Sequence, residues 1–188
     1  MSVPRTPHPA QLVVSMLSSR WDEVWAGCRA LLEERFGPLD YETGLIPFTH
    51  TSYYDQELGT PLFRRLLGFS RLVPQETLPD IKLWTNGLEQ EYLLQGQRTI
   101  NLDPGLLTLE RLILATGKNF THRVYLRDGI WADLTLIFQR GGWRTLPWTF
   151  SDYADHRLQR HLTAMRKRYD EKIKNSNETA QERPCPKA

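Results

Sequence analysis

Cysteine is nearly absent: Cys28 and Cys185 are the only two among 188 residues. Cys28 falls on the apolar side of a helical pattern and Cys185 in a proline-rich stretch, which excludes a disulfide framework or a cysteine zinc site. Long uncharged apolar runs are missing too. The longest, "LLTLERLILA", carries charge and is far short of the roughly 20 residues that cross a bilayer. The opening "MSVPRTPHPAQ" has no apolar h-region, so no signal peptide is expected. An excess of one charge is lacking as well. Lys and Arg total 24 against 22 Asp and Glu, too even for the dense basic stripe of a nucleic-acid binder. The expectation is a soluble, cytoplasmic protein with no membrane as partner and no strong nucleic-acid signal.

What is present is a core of one domain's size. Hydrophobic residues make up 40% of the chain and aromatics 11%, enough for one domain and little for two. Residues 1–10 contain three prolines and no periodicity, and read as a flexible arm. Residues 11–173 read as a single domain. From 174 to 188 the chain is polar and reads as a disordered tail.

"QLVVSMLSS" is a continuous apolar run, the pattern of a central strand buried on both faces. Trp21, Val24, Trp25, Cys28, Leu31, Leu32 and Phe36 then recur at helical spacing until Gly37-Pro38 stops them. "LDYETGLIPFTH" and "PLFRRLLGFSRLV" read as strands, "PQETLPDIKLWTNGLEQEYLL" as a helix interrupted at Pro79 and Gly87, and "RTINLD" as a further strand. The order strand, helix, strand, strand, helix, strand is the split βαβ plan. The expected class is therefore α+β: a ferredoxin-like two-layer sandwich with helices mainly on one face. Three additions extend it. Leu106, Leu109, Leu112, Ile113 and Thr116 suggest an extra helix, with Asp103-Pro104 as its cap and first residue. "HRVYL" and "IWADLTLIF" suggest a β-hairpin turned by Arg-Asp-Gly. Ala154, Leu158, His161, Leu162, Met165 and Tyr169 mark a C-terminal helix.

Chemistry-bearing residues gather in four segments. Asn101 and Asp103 share one strand face, because side chains alternate with period two. "THTSYYDQELG" brings His50, Tyr53 and Tyr54. His50 with Ser52 resembles half of the His-x-Ser/Thr pattern of 2H phosphoesterases, but His122-Arg123-Val124 has no hydroxyl to supply the other half. "GKNFTHR" supplies Lys118 and His122; it lacks the G-x-x-x-x-G-K-[ST] spacing, so a Walker-type nucleotide loop is excluded. Lys82, Asn86 and Glu89 lie one above another on a helix, where a solvated face is the default. Asp133 reads as a solvated sheet residue, and His122, beside Val124 and Leu126, as a satisfied core residue. His50, His122, Asp103 and Asp133 have no spacing that demands a metal, and no cofactor motif is present.

The segments "LVVSMLSS", "ERFGPLDYET", "FTHTSYYDQELG", "DIKLWTNGLEQE", "TINLDPGLLTLERLILATGKNFTHRVYLRDGIWADLTL" and "LPWTFSDY" run in order from about residue 11 to 153. Together they resemble an uncharacterised bacterial family catalogued as domain of unknown function 4416. This chain departs from the family pattern at "YYDQELG" and "DPGL", where the family tends to have Tyr-Tyr-x-x-Glu-Met-Gly and Asp-Pro-Gly-Tyr. The resemblance implies no activity; it puts emphasis on His50, Tyr53, Tyr54, Lys82, Asn86, Asn101, Asp103, Lys118 and His122. The expected function is binding of a small anionic ligand, such as a nucleotide or phosphorylated metabolite, with Lys82 or Lys118 offsetting its charge. In an enzyme, His50 or His122 would be the general acid or base. The alternative is a non-catalytic protein-protein interaction module presenting Trp143 and Trp148.

Overall fold

A computed structural model describes the backbone of residues 1–181 and the side chains of residues 1–175. The first strand, β1 (Ala10–Ser18), is buried along its whole length. It lies between β4 (Phe63–Val73) and β7 (Asn101–Leu107), antiparallel to both. Every position but Gln11, whose side chain is hydrogen-bonded to Lys172, is apolar or small because both faces are covered, and alternation would put a polar residue into one of two cores. Beyond β4 come β2 (Leu39–Glu42) and the two-residue β3 (Ile46–Pro47). On the other side of β7 stand β8 (Arg111–Thr116) and β10 (Ile130–Gln139), with β9 (Arg123–Arg127) and β11 (Gly142–Thr145) both paired to β10. The path across the sheet is β11-β10-β8-β7-β1-β4-β2. A separate small hairpin joins β5 (Leu93–Leu94) to β6 (Gln97–Arg98).

Helix α1 (Trp21–Phe36) buries Trp21, Val24, Cys28, Leu32 and Phe36 on one face of the sheet. It ends at Gly37, whose φ of 89° suits a residue without Cβ and whose N–H returns to the Glu33 carbonyl at 2.8 Å. The short α2 (Asp55–Leu58) follows β3. Helix α3 (Leu78–Glu91) shares the core of α1 through Leu78, Ile81 and Leu88. Pro79 falls in its first turn, where a missing N–H costs nothing. Gly87 faces solvent, so the helix runs through both expected interruptions. Each fully buried Leu or Val here contributes about 1.5–3 kcal/mol. Burial, then the charge of Glu89, pushes the Cys28 thiol up to about 12, which makes it an inert core residue.

The opposite face is not bare. Val13, Leu66, Leu107, Leu112 and Leu136 point there, and α4 (Ser151–Ala154) and α5 (His156–Gln181) cover them with Tyr153, Leu158, Leu162, Met165, Tyr169 and Ile173. The arrangement is thus mixed α and β with a largely antiparallel sheet, and helices on both faces replace the expected two layers. The reason is that the buried strands carry apolar side chains on both sides. The expected helix over 106–116 is a hairpin of β7 and β8. A strand covered on both faces is as continuously apolar as a buried helix, and tertiary pairing decides between them. Thr108 and Glu110 make its turn, the Thr108 hydroxyl bonding Glu110 at 2.6 Å. Pro104 therefore sits inside a strand, not at a helix start. The turn expected at Arg-Asp-Gly is present: Asp128 and Gly129 have φ of 53° and 76°, which suits a tight hairpin. Helix α5 continues to Gln181, past the boundary expected at 173. The remainder of the expected tail, 182–188, lies outside the described residues. Residues 1–9 have no regular secondary structure.

Trp143, expected on an exposed aromatic patch, is only 8% exposed and packs edge-on to Phe138 at 5.2 Å. Tyr41 and His161 meet at 2.8 Å between sheet and α5. Burial, and then Arg160, holds the His161 pKa below its ordinary 6.5. The unfolded chain takes up the proton near 6.5 and the folded chain only at lower pH. Stability is therefore full above 6.5 and falls as pH drops from there through the folded value. A melting series between pH 7 and 5 should show this decline, and His161→Gln should flatten it.

Candidate functional site

The site originates in "NLDPG", residues 101–105. Pro104 has no N–H to give a neighbouring strand, and the ladder from β7 to β8 begins one residue later, with Gly105 opposite Leu114. Only glycine fits there: a Cβ would stand 2.6 Å from the Ile113 carbonyl oxygen and 2.7 Å from Leu114 Cδ2. Before Pro104 the two strands part. The backbone of Leu102 on this open edge still needs partners, since a buried N–H or C=O cannot stay unpaired cheaply. Helix α3 supplies them. Glu89 Oε1 accepts the Leu102 N–H at 2.5 Å, and Lys82 Nζ donates to the Leu102 carbonyl at 2.8 Å. Two charged side chains expected on a solvated face are thus buried in a split of the sheet.

The split opens into a cavity of about 730 Å³, within the size range of ligand sites. Its floor is the sheet face that α5 leaves uncovered, and its rim is the 48–54 segment, the 116–118 turn and the start of α4. Eight of the nine expected site residues line it: His50, Tyr53, Tyr54, Lys82, Asn86, Asn101, Asp103 and Lys118. His122 does not. Asn101 and Asp103 open β7, where they were expected to close a strand before a helix. Without that helix, no helix N-terminus faces Asn101 and Asp103 at this point of the chain.

The polar wall is one connected chain. Asn101 Nδ2 donates to Asp103 Oδ2 at 2.7 Å, and Lys82 Nζ lies 3.5 Å from Asp103 Oδ1. Arg98 Nη1 donates to Asn101 Oδ1 at 3.2 Å and to Glu89 Oε2 at 2.7 Å. Its other edge grips Glu57 at 2.5 and 2.7 Å, which ties α2 and the preceding tyrosines to the sheet. Burial pushes the Glu89 carboxyl above its usual range, while Lys82, the Leu102 N–H and Arg98 pull it back. Burial also raises the Tyr54 phenol, so it stays a neutral hydroxyl. At the rim, Lys118 Nζ donates to the Tyr53 hydroxyl at 3.0 Å. His50 Nε2 lies 3.5 Å from Asp155 Oδ2, and the Asp155 carboxyl is held down at about 2, chiefly by Arg157.

His122 stands behind the wall. Its ring stacks on Trp148 at 4.9 Å, and its Nε2 lies 3.2 Å from Asp133 Oδ2. Its neighbours Val124 and Leu126 are exposed, so no apolar core surrounds it there. Asp133, expected in solvent, is 1% exposed and accepts Arg123 Nε at 2.9 Å. Among the described residues no three His, Cys, Asp or Glu side chains are grouped to hold a metal.

Sequence reasoning passed over Arg64. This β4 residue is 4% exposed and lines the cavity floor. Its guanidinium sits between the rings of Phe48 and Tyr153, about 5 Å from each centroid (5.0 and 5.1 Å). Nη2 bonds Asp152, and Nε has no acceptor among the described residues. Burial alone would lower the Arg64 pKa; Tyr153 and Asp152 outweigh it, and the net direction is up. The signal was present in "PLFRRLLGF": two arginines inside an apolar strand send one to each buried face.

The model of the family described as Domain of unknown function (DUF4416) matches residues 8–169. The chain belongs to this family. No curated protein and no solved structure matches the chain. The matched span reaches from just before β1 into α5, so the split, the cavity floor and the rim all lie inside the DUF4416 domain. No helix among the described residues is long and apolar enough to cross a membrane.

Proposed function

We propose that this protein binds a small anionic ligand, of the class of nucleotides or phosphorylated metabolites, in the cavity at the β7–β8 split. The observation that carries this reading is Arg64: a buried guanidinium on the cavity floor, stacked between two aromatic rings, with hydrogen-bonding capacity unused by the protein. Keeping a cation desolvated and half-satisfied is costly, and an oxyanion would complete it. Lys118 at the rim adds positive charge, and Tyr53 and Tyr54 offer ring faces and hydroxyls. If the ligand reacts, His50 is the general acid or base on the wall, and His122 acts only through Asp133. We also propose that β1, α1, β2, β4, α3 and β7 form a ferredoxin-like split βαβ unit. The order β7-β1-β4-β2, the antiparallel pairing and the shared face of α1 and α3 support it.

A thermal-shift panel of inorganic phosphate, phosphorylated metabolites and nucleotides tests the main reading. A ligand at about a hundred times its Kd should stabilise the protein by roughly 2.7 kcal/mol. Arg64→Met should remove that gain, and Arg64→Lys, which keeps the charge for Asp152, should reduce it. A flat response of the wild-type protein to the whole panel rules the reading out. It would favour the second reading, an interaction module, for which Val124, Tyr125 and Leu126 form an exposed apolar stretch on β9.

A further inference from the structure

The charge balance of the cavity restricts the kind of anion that fits, given the ligand-binding reading above. Five cationic side chains line it, Arg64, Lys82, Arg98, Lys118 and Arg123, against four carboxylates, Glu89, Asp103, Asp133 and Asp152. Four of the cations already face a carboxylate: Arg64 bonds Asp152, Lys82 lies 3.5 Å from Asp103, Arg98 bonds Glu89 at 2.7 Å and Arg123 bonds Asp133 at 2.9 Å. Lys118 alone rests on a neutral hydroxyl. Glu57, on the other edge of Arg98 at 2.5 and 2.7 Å, is a fifth carboxylate, so the wall together with Glu57 carries no net charge. Such a wall leaves room for one or two negative charges, at the incompletely bonded Arg64 and at Lys118. A triphosphate would set further negative charge against four carboxylates, and like charges in a partly desolvated site repel strongly.

The unused hydrogen-bonding groups stand on two sides of an apolar floor. Arg64 and Asn101 both pair with Leu17 of β1 from opposite sides, so they are two strand spacings apart, about 10 Å between backbones. On the β4 side is Arg64, a cavity-lining guanidinium with hydrogen-bonding capacity left over, whose planar geometry suits a phosphate or carboxylate. On the β7 side is Asp103, its side chain 31% exposed, with one oxygen taken by Asn101 and lone pairs remaining. The Asn86 side chain also lines the cavity and makes no hydrogen bond among the described residues. A carboxylate and a free carboxamide lining one cavity accept from and donate to hydroxyl groups. We infer that the ligand carries a single phosphate or carboxylate, held at Arg64, on a hydroxylated body read by Asp103 and Asn86. It is of the class of sugar phosphates or sugar acids, and not a nucleoside di- or triphosphate.

Calorimetric titration of the full chain separates these cases. The probes are inorganic phosphate, ribose 5-phosphate, glucose 6-phosphate, glucuronate, and ATP with and without magnesium. At least one hydroxylated monoanionic-head compound should bind tenfold or more tightly than both inorganic phosphate and ATP. Whether a sugar phosphate or glucuronate leads distinguishes the two heads. Asp103→Asn should weaken that compound about tenfold, the size of one charge-assisted hydrogen bond. It should leave inorganic phosphate unchanged. Asn86→Ala should act in the same direction. Tighter binding of ATP, or no gain from the hydroxylated body together with no effect of Asp103→Asn, overturns this inference while anion binding at Arg64 stands. No heat from any anion overturns both.

Discussion

Asp133→Ala should lower the unfolding free energy by about 3–5 kcal/mol, the cost of leaving a buried charge without its partner. The carboxylate is held by Arg123 Nε at 2.9 Å, with His122 Nε2 at 3.2 Å and the Thr135 hydroxyl at 3.4 Å. Its removal leaves the Arg123 guanidinium, itself largely buried, with the Lys118 carbonyl but no carboxylate, and frees the His122 ring from one of its anchors, Trp148 and Phe120 being the others. Urea denaturation measures the loss. The double variant Asp133→Leu, Arg123→Leu should recover most of it, because the penalty lies in the unpaired charge rather than in the absence of the pair. A loss below about 1 kcal/mol for the single variant would mean that the pair behaves as a solvated surface bridge.

Glu89→Ala should cost about 3 kcal/mol, for a different reason. One carboxylate oxygen serves the Leu102 N–H and the other serves Arg98. Alanine leaves a buried backbone donor unpaired and removes half of the charge around Arg98. Glu89→Gln should cost less, since a carboxamide oxygen still accepts from Leu102. Amide exchange at Leu102 distinguishes this account from general loosening. It should accelerate in Glu89→Ala and stay slow in Glu89→Gln. Equal exchange in both variants would show that the split is not held by this contact.

These two residues also show where reading the chain stopped. Asp133 and Glu89 were assigned to solvent because their neighbours in sequence are compatible with it. Each is buried by partners distant along the chain: Arg123 sits ten residues from Asp133, and Leu102 sits thirteen from Glu89. A carboxylate enters a core only when a cation or N–H waits there, and period-two or period-3.6 patterns carry no record of that partner. Arg64 was missed for the same reason, although its place in an apolar strand was visible. The stretch 106–116 failed differently. Leu106, Leu109, Leu112 and Ile113 satisfy a helical spacing by accident, because a strand between two helical layers is apolar at nearly every position.

By itself the amino-acid order determined β1, α1, β4 and α5, whose hydrophobic period or unbroken run leaves little choice of state. It also determined which segments carry His50, the two tyrosines, Lys82, Asn86, Asn101, Asp103 and Lys118. Tertiary structure alone decided that β7 and β8 separate at Pro104 and rejoin at Gly105, because strand pairing is a contact between segments and not a property of either. From that separation follow the buried ends of Lys82 and Glu89, the hollow beside them, and the placement of Arg64 on its floor.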